Sequence, residues 1–138
     1  MNSNSILDYI PHRTPFVMVD EILYCDLEQC RTQFSIKADN LLVNRNRLSE
    51  GGVMEHVAQS CAARIGYISL HIKHEPIRVG VIGAIKNFRM IRYPMVGEVL
   101  ETEVKAIAEF MDMTVLEAKV FSNDVLVAEG EMKVALIN

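Results

Sequence analysis

The stretch "SEGGVMEHVAQSCAARIGY", Ser49 to Tyr67, decides the fold. Val53, Val57, Cys61, Ile65 and Ile68 recur at helical spacing, as do Met54, Ala58 and Ala62, while Ser60, Ala63 and Gly66 keep the other sides slim. A helix apolar nearly all round is a buried one. The reading is therefore a long buried helix from about Ser49 to His71, with Ser49 as N-cap and Gly51 and Gly52 in its first turn. Slim sides let a sheet wrap closely around it. Glu55 does not fit this pattern, and Gln59 follows it one turn later. A buried charge without a partner is costly, so a carboxylate kept on such a helix has a reason to be there. The competing reading is an inert helix carboxylate at a wet subunit boundary.

Strands flank the helix on both sides. Upstream, "FVMVDEILYC" and "CRTQFSIKA" read as two strands around a turn at Asp26 to Gln29. In the second, Cys30, Thr32, Phe34, Ile36 and Ala38 share one face, the period of two expected when one face is buried. Before them Ile6 to Ile10 suits a short helical turn ended by Pro11, and "DNLLVNRNR" reads as a loop leading to the helix. Downstream come "RVGVIGAIKNFRMI", a turn at "YPMVGE", then "EVLETEVKAIAEF", "MTVLEAKVF" and "VLVAEGEMKVAL" as meander hairpins. The last turns through Ser122, Asn123 and Asp124, and sets Leu126, Ala128, Met132 and Val134 against Val127, Glu129, Glu131 and Lys133. Two strands, one long helix, then three or more strands make an α+β architecture: one curved antiparallel sheet rolled around one helix. Such a sheet leaves edges, so pairing with a second copy is expected.

The bulk numbers agree. The 138 residues suit one domain spanning 1–138, and half of them are hydrophobic, as a packed core requires. No apolar run approaches the roughly 20 residues that cross a bilayer. The opening "MNSNSILDYI" has no basic region and no apolar signal segment, and the three cysteines (Cys25, Cys30, Cys61) lack metal-ligand spacing. A reducing cytoplasm is the expected setting. A net charge of −4 argues against nucleic acid as a partner. Charge is uneven, however: eight basic and three acidic residues between Arg45 and Arg92 give +5, against −9 elsewhere. That middle is either a solvated mixed surface or a basic rim for an acidic or phosphate-bearing partner. No metal, nucleotide or other cofactor pattern is present.

Three segments in register resemble one family. "ILDYIPHRTPFVMVDEILYCD", "EHVAQSCAA" and "IGAIKNFRMIRYPMVGEVL" are similar to the opening, the helix and the following strand-and-turn of the hotdog-fold 3-hydroxyacyl-acyl-carrier-protein dehydratases, above all the divergent members of pigment and aryl-polyene pathways. The likeness runs from Ile6 to Leu136. It implies the hotdog fold, Glu55 on the family's catalytic carboxylate, Gln59 on the Gln that follows it, and Phe16 and Asp20 at the aromatic and acidic places of the first strand. It also implies an acyl thioester on acyl carrier protein or coenzyme A as substrate. One departure is serious. The family pairs its Glu with a His from the loop before the helix, and here that loop reads "DNLLVNRNRLSEGG", with Leu41 or Asn46 at the position depending on loop length.

Dehydration needs a base, an acid and a donor for the thioester oxygen. Backbone N–H groups near Gly51 and Gly52 suit the last role, because a helix N-terminus presents unpaired donors. His56 adjoins Glu55 but points about 100° away on a helix, which suggests a stripe with Ser60 and Tyr67 at a subunit contact. The resemblance implies that His12, between Pro11 and Thr14-Pro15, shapes the entry turn, with contact to the chemistry as the lesser reading, and His71 and His74 lie at the helix exit. Three functions follow. The first is a dehydratase with Glu55 as acid or base, substrate held near Gly51, Gly52, Gln59 and Asn46, and the carrier met by Arg45, Arg47, Arg89 and Arg92. The second is a thioesterase using Glu55 alone. The third is a non-catalytic subunit in a hetero-oligomer with an active hotdog dehydratase; otherwise a homodimer or larger homo-oligomer is expected.

Overall fold

The computed structural model describes residues 5–137. The capped helix is present: α1 spans Glu50–Tyr67, with the Ser49 side chain accepting from the Gly52 N–H, and a π-helical turn, Ile68–Ile72, carries it on to the point where the sequence ends it. Val53, Val57, Cys61 and Ala63 are fully or almost fully buried. Gly66 is needed for a close approach, since a Cβ there would stand 2.3 Å from the Tyr9 carbonyl oxygen. Its slim side thus receives the N-terminal segment rather than the sheet. That segment opens with a 3₁₀ turn, Ile6–Asp8, closed by a reciprocal cap between Ser5 and Asp8.

The strands are β1 (Glu21–Cys25), β2 (Gln29–Ser35), β3 (Val43–Asn44), β4 (Arg47–Leu48), β5 (Val79–Met90), β6 (Val99–Phe110), β7 (Met113–Ser122) and β8 (Val125–Ile137). Six form one antiparallel sheet in the order β1-β2-β6-β7-β8-β5. Its inner face supplies Cys30, Phe34, Leu100, Val104, Leu116, Ala118, Val120, Met132 and Val134 to the core against α1. Burying this much apolar surface is what holds sheet to helix. Polar ties cross the interface as well: Ser60 of α1 meets Thr32 of β2 at 2.8 Å, and His56 of α1 meets Thr102 of β6 at 2.7 Å.

Several expectations shift. The first strand begins at Glu21 rather than Phe16, because the backbone at Phe16 and Met18 bonds to helix side chains instead of a neighbouring strand. The second ends at Ser35, which leaves Ala38 exposed. The segment read as a loop holds the β3–β4 hairpin, turned by Arg45 and Asn46 with φ of 53° and 66°. At the start of β8 a register shift beside Phe121 buries Val127 in place of Leu126. Among the described residues β5 pairs only with β8, and Val79, Val81 and Ile85 stand exposed along it. No helix among the described residues is long and apolar enough to cross a membrane.

Candidate functional site

Glu55 lies on the flank of α1 where the sheet does not cover it, and its side chain is 43% exposed. Its rotamer is held by Gln59, one turn on, whose Nε2 donates to Glu55 Oε2 at 2.8 Å and to the Phe16 carbonyl at 2.8 Å. The Gln59 oxygen accepts from the Met18 N–H at 2.6 Å. With its oxygen engaged there, the amide can offer Glu55 only N–H, and the carboxylate oxygen it meets is an acceptor. Gln59 is buried, and every polar atom of its side chain is used. Its family position therefore corresponds to a clamp on the carboxylate and on the segment leading into β1.

Beside Glu55 opens an apolar crevice of about 210 Å³. Ala58, Cys61, Ala62 and Ile65 of α1 form one wall, and Gly80 and Ile82 of β5 with Val134 of β8 form the other. His12 completes the rim, its Nε2 3.9 Å from Glu55 Oε2. The turn that carries His12 is built locally. Arg13 folds back to donate to the carbonyls of Ile10, at 2.8 Å, and His12, at 2.7 Å, while Tyr9 and Ile10 are buried against Ala63 of α1. The Tyr9 hydroxyl lies 2.7 Å from His71 Nε2. Position in the chain gave no sign that His12 and Glu55 would meet.

His56 is not at an exposed subunit contact. It is wholly buried, stacked on Phe34 with ring centroids 5.3 Å apart. Nδ1 stands 2.7 Å from the Met18 carbonyl, which can only accept, so Nδ1 carries the proton. Nε2 then accepts from the Thr102 hydroxyl at 2.7 Å. Burial pushes this imidazole down to about 4, against a smaller upward pull from the Met18 carbonyl. Its neighbour Ser60 is equally buried. His56 is a fixed, neutral strut between the helix, β6 and the segment before β1.

The other expected residues scatter. Gly51 is exposed at the helix N-terminus, whereas the Gly52 N–H is taken by Ser49 Oγ at 3.1 Å and its Cα is packed against Leu48. Neither lines the crevice, nor does Asn46, which sits exposed at the turn of β3–β4. Asp20 accepts from the Ser35 N–H, and Phe16 is largely exposed. Of the four arginines, Arg89 pairs with Glu129, and Arg92 forms a two-pronged bond with Glu98 at 2.9 and 2.6 Å. That pairing holds the Glu98 carboxyl down at about 2. Arg45 and Arg47 project from the β3–β4 hairpin, which is tied to the turn after Arg92 through Leu48 N–H to Pro94 and Val96 N–H to Asn46. Unforeseen in the sequence is Arg64, buried on α1 and donating to the Leu27 carbonyl at 3.0 Å.

One long helix clasped by a six-stranded antiparallel sheet, with a carboxylate at an apolar slot beside the helix, defines a hotdog-fold protein. Residues 4–137 match the ApeP-like family, described as ApeP dehydratase, and the chain belongs to that family. Among curated relatives it is 28% identical over 143 residues to the 3-hydroxyacyl-[acyl-carrier-protein] dehydratase FabZ of Clostridioides difficile (strain 630), covering 99% of this chain and 98% of that one. The FabZ of Actinobacillus pleuropneumoniae serotype 5b is 28% identical over 138 residues, 94% and 87% of the two chains. Among solved structures, the dehydratase heterocomplex ApeI:P from Xenorhabdus doucetiae aligns with a TM-score of 0.90 at 16% identity, over 99% of this chain and 93% of that one. A hypothetical thioesterase protein with coenzyme A from Streptococcus pneumoniae TIGR4 shares the fold at a TM-score of 0.69 and 9% identity, over 86% and 85%.

Proposed function

We propose that this chain dehydrates a 3-hydroxyacyl thioester carried on acyl carrier protein, in aryl-polyene or related acyl-chain synthesis, with Glu55 handling a proton at the substrate. The observation that carries the reading is the placement of Glu55. It is the carboxylate at the mouth of an apolar crevice, clamped by Gln59 and open on its other side. An acyl chain needs the apolar walls, and its C2 and C3 need a carboxylate within reach at the mouth. The relatives bearing the FabZ name support the substrate class. Arg45 and Arg47, which among the described residues lack the carboxylate partners that occupy Arg89 and Arg92, are the residues offered to an acidic carrier.

The working unit pairs this chain with a second hotdog protein through β5, whose outer edge is unpaired among the described residues and carries exposed Val79, Val81 and Ile85. The likeness to a chain of the ApeI:P heterocomplex supports that arrangement. It also favours a second reading, a subunit that supports an active partner without catalysing, since the loop before the helix has no histidine.

The test is turnover of a 3-hydroxyacyl carrier-protein thioester, followed by enoyl absorbance and free thiol, with the chain alone and mixed with a hotdog partner. Glu55→Gln is expected to lose about 100-fold or more in kcat. Activity of the mixture that ignores Glu55→Gln establishes the supporting-subunit reading, and thiol release without enoyl product establishes hydrolysis.

A further inference from the structure

Resting on the dehydratase reading of Glu55, we infer that His12, carried by the turn before the first strand, is the second proton-handling group of this site. The four histidines have different degrees of freedom. Both ring nitrogens of His56 are spent, on the Met18 carbonyl and the Thr102 hydroxyl. His71 is engaged by the Tyr9 hydroxyl, and His74 is exposed beyond the helix end. His12 alone of the four lines the crevice, and its ring is committed to no hydrogen bond among the described residues: Nδ1 is buried without a partner and Nε2 faces Glu55. A separation of 3.9 Å is too long for a hydrogen bond. It suits two groups that address adjacent carbons of one substrate, which lie about 1.5 Å apart.

The roles follow from the clamp. Glu55 Oε2 accepts from Gln59 and faces the crevice, and in this assignment Glu55 takes the proton from C2. The electron pair of that C–H bond forms the C2=C3 double bond as the C3–O bond breaks. The departing hydroxyl takes a proton from a His12 ring nitrogen and leaves as water. Glu55 then carries one proton more and His12 one fewer. Both side chains are partly exposed, so proton exchange with solvent water returns Glu55 and His12 to the starting state. Besides these two, the titratable group lining the crevice is Cys61, which burial raises to about 12 and so removes from the working range; Arg13, bonded to the His12 carbonyl, stays charged.

The test compares wild type, His12→Gln, His12→Ala and Glu55→Gln, each in the same assembly, with thermal melting to confirm folding. His12→Gln is expected to lose about 100-fold in kcat with KM little changed, and to flatten one limb of the pH–rate profile. Added imidazole is expected to restore part of the activity of His12→Ala, which a structural role would not allow. If Glu55→Gln is inactive while His12→Gln keeps its kcat and both limbs, the His12 assignment falls and the dehydratase reading stands. The assignment also falls if both His12 variants are slow but imidazole restores nothing and the profile keeps its shape. If wild type turns nothing over, alone or with a hotdog partner, both readings fall together.

Discussion

Acidification puts a specific load on His56. The folded protein holds its imidazole neutral by burying it between α1, β6 and Phe34, with the ordinary value of 6.5 lowered to about 4. In the unfolded chain the same ring takes up a proton near pH 6.5. Between pH 6.5 and about 4 the unfolded state therefore binds a proton that the folded state refuses. Stability rises with pH across this window and is lost as pH falls through it. At 1.36 kcal/mol per unit, a displacement of this size is worth about 3 kcal/mol, which is a large share of the roughly 5–15 kcal/mol that holds a domain together. Urea unfolding followed by circular dichroism at pH 7, 6, 5 and 4 measures it. Carboxylates titrate in the same range, so the informative quantity is the gap between wild type and His56→Gln. Wild type should lead at pH 7, by keeping both hydrogen bonds, and the gap should shrink by about 3 kcal/mol on reaching pH 4. A gap that stays constant from pH 7 to pH 4 would refute the reasoning, because the ring would then titrate alike in both states.

Two glycine substitutions test how the crevice is built. Gly66→Ala adds a Cβ 2.3 Å from the Tyr9 carbonyl oxygen and 2.8 Å from Tyr9 Cα. Backbone cannot yield as a side chain does, so the N-terminal segment must shift; a loss of about 2 kcal/mol in urea unfolding is expected, with a fall in turnover as His12 moves away from Glu55. Gly80→Ala meets the flexible Ile65 Cδ1 at 2.4 Å, and both residues line the crevice. Ile65 should swing into the slot at a cost of about 1 kcal/mol, lowering kcat/KM for long acyl thioesters more than for short ones. An equal effect on all chain lengths would count against this slot as the acyl site.

The helix and most of the sheet were legible because their signals are local. Val53, Val57 and Cys61 on one stripe, with Ala63 and Gly66 opposite, describe a buried rod whatever surrounds it. Cys30, Thr32 and Phe34 describe a half-buried strand equally well. The failures are places where a partner distant in sequence overrides the local pattern. Val17 and Val19 are β-branched like strand residues, yet Met18 between them spends its N–H on Gln59 and its carbonyl on His56. Arg45 carries a left-handed φ that its side chain does not advertise, so the short β3–β4 hairpin passed as a loop. Glu55 and Gln59 were legible as a pair by their spacing on one helix. His12 was not, since nothing nearby says which side of α1 the turn will lie on until Gly66 admits Tyr9.

The polar residues on this helix do a job that strands usually do for one another. Phe16 and Met18 need partners for their backbone groups as the chain enters the sheet, and among the described residues no strand pairs with them there. Gln59 and His56 supply three such bonds from the helix: Met18 N–H to Gln59, Phe16 carbonyl from Gln59, and Met18 carbonyl from His56. An unmade bond at such a buried site costs about 1–3 kcal/mol, so the segment is held in one place. Because Gln59 uses the same amide on Glu55, the bonds that fix residues 16–18 also fix the carboxylate. A few residues upstream of that anchor, the chain turns through His12 to the crevice rim. The distance between His12 and Glu55 is therefore set by one hydrogen-bonded unit, and a change at Gln59 or His56 alters both sides of the site at once.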